Sequence, residues 1–166
     1  LSLWGYPPRD LLLQPARIAG QAAQLDWLSS QLKSDLVVLV GVALPTDDDR
    51  APGLTNSIAL VDRRGWRAVA HKQLLPSYDV FDERRYFRPG TGPNLLQLPN
   101  GQRLGLTICE DLWVDDSLQR ERLAGPDPIE QLIPEQPDVV INLAASPFDA
   151  DKPLLRPKLA ATAARP

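Results

Sequence analysis

The side chains able to do covalent chemistry in this chain of 166 residues are few, and they fall at the ends of apolar runs. Cys109, the single cysteine, closes the run "RLGLTI" and is followed at once by Glu110 and Asp111. A thiol placed where a buried strand meets polar residues can act as a nucleophile if a neighbouring cation or base favours loss of its proton. It can equally be a small buried hydrophobe, the commoner role of a free cysteine. A Cys–His dyad would have to use His71, the single histidine. One Cys and one His do not make a closed zinc site without several carboxylates, so no metal is expected. Beside His71 stands Lys72, where an apolar stretch ends and a long irregular segment begins. A lysine there is either a solvated charge or the cation needed by a thiolate and by the oxyanion of an attacked carbonyl. Glu83 lies within "VFDERRYF", whose Phe81, Tyr86 and Phe87 are costly to leave in water. If that segment packs, Glu83 needs a cationic partner, and Lys72 is the candidate.

The elements that must position these residues alternate in kind. Ile18, Ala22, Leu25, Leu28 and Leu32 recur at three- and four-residue steps, the period of an amphipathic helix from about Pro15 to Leu32. Gly5 and Pro7-Pro8 mark a turn that closes whatever strand comes before it. "LVVLVGVAL", Leu36 to Leu44, reads as a strand covered on both faces. "NSIALVD" and "RAVAHKQ" read as two strands joined at Arg64-Gly65, and "NLLQLP" and "RLGLTI" as a hairpin about Asn100-Gly101. From Leu74 to Pro93 there is no regular period, and loops of this length within a domain are often functional. A short helix near Ile129 to Ile133, a strand "DVVINLAAS" and a helix from Pro153 complete an α/β pattern. Cys109 and Ser146 then stand at the C-terminal ends of buried strands.

Composition narrows the class. With 43% hydrophobic residues and a net charge of -3, the chain suits one domain with a real core, and neither a basic nucleic-acid binder nor a disordered acidic segment. One cysteine forms no internal disulfide, and no run approaches the roughly 20 apolar residues that span a bilayer. A cytoplasmic setting is expected. Asp47 to Asp49 reads as a solvated loop, and "GTGP" is not a phosphate cradle, because no helix pattern with a basic residue follows it.

"HKQLLP", "VFDERRYF" and "ICEDLW", in this order, resemble the core motifs of the nitrilase, or carbon-nitrogen hydrolase, superfamily. Within it, "GYPPRDLLL", "YDVFDERRYFRPG", "TICEDLW" and "NLAASPF" are similar to the glutaminase domain of the glutamine-dependent NAD+ synthetases. The resemblance implies a four-layered αββα sandwich, incomplete at both ends, with residues 1–166 forming its central part. It implies amide hydrolysis through a Glu-Lys-Cys triad. Cys109 matches the nucleophile, Lys72 the catalytic lysine, and Glu83 the second glutamate that supports the lysine. The backbone N–H of Glu110 would hold the oxyanion, more than its charge would matter. Tyr78, Ser146 and Lys152 match substrate contacts, with Tyr6 and Phe81 near the pocket. Lys152 stands where some relatives carry Arg, which weakens a two-pronged grip on a carboxylate. The triad glutamate of the family would precede Leu1.

The implied partners are L-glutamine and a synthetase domain beyond the C-terminus, with assembly into a homo-oligomer and no nucleic acid or membrane. No cofactor is implied for this domain, whereas ATP and Mg2+ belong to the synthetase domain. Two other readings stay open, a stand-alone amidase and a catalytically inactive binding module of the same fold.

Overall fold

The structure is a computed structural model that describes residues 1–47, 50–78, 81–113, 125–146, 150 and 152–165. Its order is α1 (Pro15–Gln31), β1 (Val38–Pro45), β2 (Leu54–Asp62), β3 (Gly65–His71), β4 (Leu95–Gln97), β5 (Arg103–Ile108), α2 (Pro128–Leu132), β6 (Val139–Leu143) and α3 (Lys152–Ala163). Strands β1, β2 and β3 form an antiparallel sheet in that order. A second sheet has the order β4-β5-β6, with β4 and β5 antiparallel and β5 and β6 parallel.

The two sheets meet face to face. Alternation along β5 sends Leu106 and Ile108 inward, where they pack with Ile58, Leu60 and Ala70 of the first sheet and with Cys109. The opposite residues of β2, Ala59 and Val61, join Val40 and Val42 against Leu25 of α1. Burying a leucine of that kind contributes about 1.5–3 kcal/mol. On the outer face of the second sheet Gly105 has no Cβ because Leu132 of α2 lies 3.0 Å from where one would stand. The layers are therefore helix, sheet, sheet, helix, an incomplete α/β sandwich of the expected class.

Two polar residues interrupt the buried stripe of α1, and both serve the first sheet. Gln21 donates to the Ala43 carbonyl at 2.6 Å and accepts from the Ala43 N–H at 3.0 Å, while Ser29 donates to the Asp62 carbonyl at 2.6 Å. Ser2 pairs with Gly41 at the same edge of β1, so a side chain and a turn cover the edge at Gly41 and Ala43.

The expected elements are present with adjusted bounds. Leu36 and Val37, read as strand, are 55% and 37% exposed because a turn in which the Leu36 N–H meets Ser34 Oγ delays β1 to Val38. Leu1 to Tyr6 forms turns and leads into a 3-10 turn at Arg9–Leu13. Asp48 and Asp49 of the expected loop, and residues 114–124, lie outside the described residues. Among the described residues, no helix is long and apolar enough to cross a membrane.

Candidate active site

Lys72 follows β3 directly, and two backbone bonds hold it there. Its N–H donates to the Asn56 carbonyl at 2.7 Å, continuing the ladder with β2, and its carbonyl accepts from the Gly90 N–H at 2.8 Å. The long loop is thus stitched back along the strand that carries the lysine. Gly90 can approach so closely because it lacks a Cβ, which would stand 2.6 Å from the His71 carbonyl oxygen.

Glu83 opens a 3-10 turn, Glu83–Arg85, inside that loop. Tyr86 and Phe87 pack into a core cluster with Leu12, Ile18 and Leu75, so the aromatic residues draw the glutamate inward as their apolarity requires. Glu83 ends 4% exposed, and both its oxygens lie 2.9 Å from Lys72 Nζ. Tyr6 donates its hydroxyl proton to Glu83 Oε1 at 2.7 Å. The expected pair is therefore formed, with a tyrosine as an additional partner.

Cys109 begins a 3-10 turn, Cys109–Leu112, with φ 50°. A strand sends consecutive side chains to opposite faces. The left-handed backbone at Cys109 ends that alternation, so Cys109 lines the cavity that Lys72 also lines while the Glu110 carboxylate reaches the lysine. Glu110 Oε2 lies 2.6 Å from Lys72 Nζ, and the two side chains are 7% and 1% exposed. The sequence reading placed the weight of Glu110 on its backbone N–H; its carboxylate is a direct ligand of the lysine.

Asp111 was singled out by no spacing rule, yet it joins the two halves of the site. Its Oδ1 accepts from the N–H groups of Gln73 (3.0 Å) and Leu74 (2.8 Å), and its Oδ2 from Ile108 N–H (3.1 Å). One buried carboxylate so ties the backbone after Lys72 to the backbone before Cys109. Asn142 of β6 adds a bond from Nδ2 to the Cys109 carbonyl at 3.2 Å.

The electrostatics follow from burial around a single cation. Burial works against the Lys72 charge, but Glu83 and Glu110 outweigh it and raise its pKa above the ordinary lysine value. Burial raises Glu83, with Lys72 opposing. Burial and then the Glu110 charge push the Cys109 thiol up to about 12, although Lys72 pulls the other way. Burial is thus the main influence that holds the proton on sulfur. Burial pushes Asp111 up to about 6 against its three backbone bonds.

Lys72, Glu83 and Cys109, but not Glu110 or Asp111, line a cavity of about 280 Å³ together with Tyr6, Gly41, Asn56 and Leu143 to Ala145 after β6. Tyr6 and Glu83 separate this cavity from a second one, of about 450 Å³, that Phe81 lines. The Phe81 ring lies 6.0 Å from that of Tyr6 and 5.4 Å from that of Tyr78. Tyr78 is 39% exposed and reaches the site through Phe81. Ser146 follows the cavity-lining Ala145, and the side chain of Lys152 lies outside what the structure describes. His71 is not a partner for the thiol. It belongs to the other face of β3, where its Nδ1 lies 2.8 Å from Ser57 Oγ, so the dyad reading is set aside. No cluster of metal-binding side chains occurs among the described residues.

The chain is 36% identical over 168 residues to the glutamine-dependent NAD(+) synthetase of Synechocystis sp., covering 99% of this chain and 30% of that one. It is 34% identical to the enzyme of the same name from Aquifex aeolicus, covering 92% and 24%. The chain thus spans about a quarter to a third of the length of these relatives. Among solved structures, the glutamine-dependent NAD+ synthetase of Acinetobacter baumannii, in complex with ADP, superposes with a TM-score of 0.73 at 31% identity, over 92% of this chain and 26% of that one. An amidase from Nesterenkonia sp. shares the fold, with a TM-score of 0.63 at 19% identity over 96% and 55%. The family profile of carbon-nitrogen hydrolases matches residues 1–127, and with the relatives above it shows that the chain belongs to the carbon-nitrogen hydrolase family.

Proposed function

We propose that this chain is part of the glutaminase domain of a glutamine-dependent NAD+ synthetase, with Cys109 as nucleophile, Lys72 as the cation that holds the oxyanion, and Glu83 as the residue that holds Lys72. The observation that carries this reading is one buried ammonium gripped by two carboxylates beside a buried thiol at the end of β5. The thiol attacks the side-chain amide of glutamine, the tetrahedral oxyanion is met by Lys72 and the backbone N–H of Glu110, ammonia departs, and a glutamyl thioester remains. Water then releases glutamate, activated by the triad glutamate that the family places ahead of Leu1. A cavity of about 280 Å³ suits a single amino acid better than a nucleotide, since small-ligand sites run from roughly 300 to 1,000 Å³. Tyr6 is assigned to the pocket wall, with Phe81 behind it, and Tyr78, Ser146 and Lys152 to the amino acid end of the substrate. The ammonia would pass to a synthetase domain that uses ATP and Mg2+.

The test is Cys109→Ala in the full-length protein. Glutamine-dependent ammonia release is expected to vanish, and mass spectrometry of the unchanged protein trapped with glutamine is expected to place a glutamyl adduct on the Cys109 peptide. Surviving release, or an adduct elsewhere, sinks the assignment.

A further inference from the structure

Asn56 Oδ1, Gln73 Oε1 and Gln131 Oε1 are buried acceptors that meet no hydrogen-bond donor among the described residues. Leaving such an oxygen unpaired in a protein interior is costly, so each calls for a reason. Asn56 alone of the three lines the cavity that Lys72, Glu83 and Cys109 share, and it is 3% exposed. Gln73 is held elsewhere, by its Nε2 on the Gly92 carbonyl, and Gln131 belongs to α2 behind the second sheet.

Strand register aims Asn56 at the site. Successive residues of a strand point to opposite faces, and Asn56 stands two before Ile58, which packs between the sheets. Ser57 faces the other way and meets His71 Nδ1. Ser57 pairs with His71, so the next pair along is Asn56 with Lys72, joined by the bond from the Lys72 N–H to the Asn56 carbonyl at 2.7 Å. Opposite residues on one face of an antiparallel pair have Cβ atoms roughly 5 Å apart. The Asn56 carboxamide and the Lys72 stem therefore rise side by side into the same cavity.

A primary carboxamide presents one acceptor oxygen and two N–H donors. Lys72 and the Glu110 N–H can only donate, which suits the carbonyl oxygen and leaves the nitrogen unmatched. Glu83 Oε1 already accepts from Tyr6 and Lys72, and Oε2 from Lys72. Asn56 Oδ1 is the uncommitted acceptor beside the lysine.

We propose that Asn56 is a specificity-determining residue, whose Oδ1 accepts a hydrogen bond from the scissile NH2 of the substrate and so selects a primary carboxamide over groups of the same shape that carry no N–H. The assignment deepens the proposed glutaminase reading and rests on it. With the nitrogen held at Asn56 and the oxygen at Lys72, the planar amide is fixed in one orientation for attack by the thiol. An ester in the same position brings no N–H and leaves the buried acceptor unpaired, the kind of mismatch by which a polar site rejects an analogue.

The experiment compares glutamine with the γ-methyl ester of glutamate in the full-length protein and in Asn56→Leu, which has a similar volume and no acceptor. Both substrates give the same thioester on Cys109, so the ratio of their kcat/KM values cancels effects on the thiol, the lysine and the fold. In Asn56→Leu the amide-to-ester ratio is expected to fall about 10- to 100-fold. Without substrate the variant is expected to melt at or above the parent temperature, since leucine replaces an unpaired polar group with an apolar one. Asn56→Ala, which adds no atoms, supplies the same ratio if leucine is not accommodated. A fall of less than fivefold in the ratio overturns the proposal, and parallel slowing of both substrates with a lower melting temperature makes Asn56 a structural residue of β2 instead. If the parent forms no glutamyl adduct on Cys109, the glutaminase reading falls, and this assignment with it. If the parent forms the adduct and the ratio does not move, only this assignment falls.

Discussion

Replacing Lys72 with methionine keeps the length and apolar stem of the side chain and removes the charge that two buried carboxylates share. Nζ makes contacts at 2.9, 2.9 and 2.6 Å, and its side chain is 1% exposed, so water does not replace it. Breaking a buried ion pair from one side costs about 3–5 kcal/mol, and with two carboxylates stranded the upper part of that range is expected at pH 8. Domains of ordinary stability have roughly 5–15 kcal/mol in total, so the variant remains folded with a much lower urea midpoint. The deficit depends on pH. Burial already raises Glu83, and without Lys72 it rises further. A carboxyl group whose folded pKa exceeds its unfolded value favours the folded state below the unfolded value and loses that contribution as pH rises through the folded one. The Lys72→Met deficit should therefore shrink from pH 8 toward pH 5, as a stranded carboxylate is protonated. Urea unfolding of the full-length protein, read by tryptophan fluorescence at both pH values, measures it. Adding Glu83→Gln to Lys72→Met should return more than about 1 kcal/mol at pH 8, a coupling typical of direct partners. A deficit under about 1 kcal/mol at pH 8, no change between pH 5 and 8, or additive effects of the two substitutions would refute a network organised around Lys72.

Two further outcomes are expected. Asp111 has its folded pKa raised to about 6 from 3.8, a difference of about 3 kcal/mol between its protonation states, so its contribution is full below the unfolded value and lost as pH rises through 6. Asp111→Asn removes that dependence and loses one backbone bond; paired melting curves should show the variant gaining on the parent by up to that amount from pH 4 to 8, and parallel curves would contradict it. Gly90→Ala sets a Cβ against backbone at His71, so about 1–3 kcal/mol of stability should be lost. Glutamine turnover should fall with it as the Lys72 segment shifts, and unchanged melting and turnover would show that the loop does not position the lysine.

Much of this arrangement was legible in sequence because local chemistry declares it. Asn100-Gly101 marked the β4–β5 hairpin, and Gly101 does take φ 89°. The apolar period of α1 and the β-branched run of β1 marked two layers. Glu83 was drawn toward Lys72 by an argument about its aromatic neighbours, which pack as required. What stayed hidden depends on one backbone torsion and on strand ends far apart in the chain. Nothing in "ICEDLW" discloses that Cys109 is left-handed, and without that turn Glu110 would face away from the lysine. Asp111 reads as a capping residue from its neighbours, and it does bond Ile108 N–H, but Gln73 and Leu74 reach it only once β3 and β5 lie together. Tyr6 and Glu83 meet for the same reason, across 77 positions of sequence.

The left-handed backbone of Cys109 also bears on how such a site would age. A non-glycine residue held at φ 50° gives up on the order of 1–2 kcal/mol that glycine would not. Packing of the cysteine with Ile58, Leu106 and Ile108 offsets part of that cost, and glycine would remove the strain and the packing together. In a lineage in which the thiol no longer mattered, glycine would become tolerable at this position. Position 109 is accordingly a one-letter record of whether a lineage still uses the pocket, and in this chain the letter is cysteine.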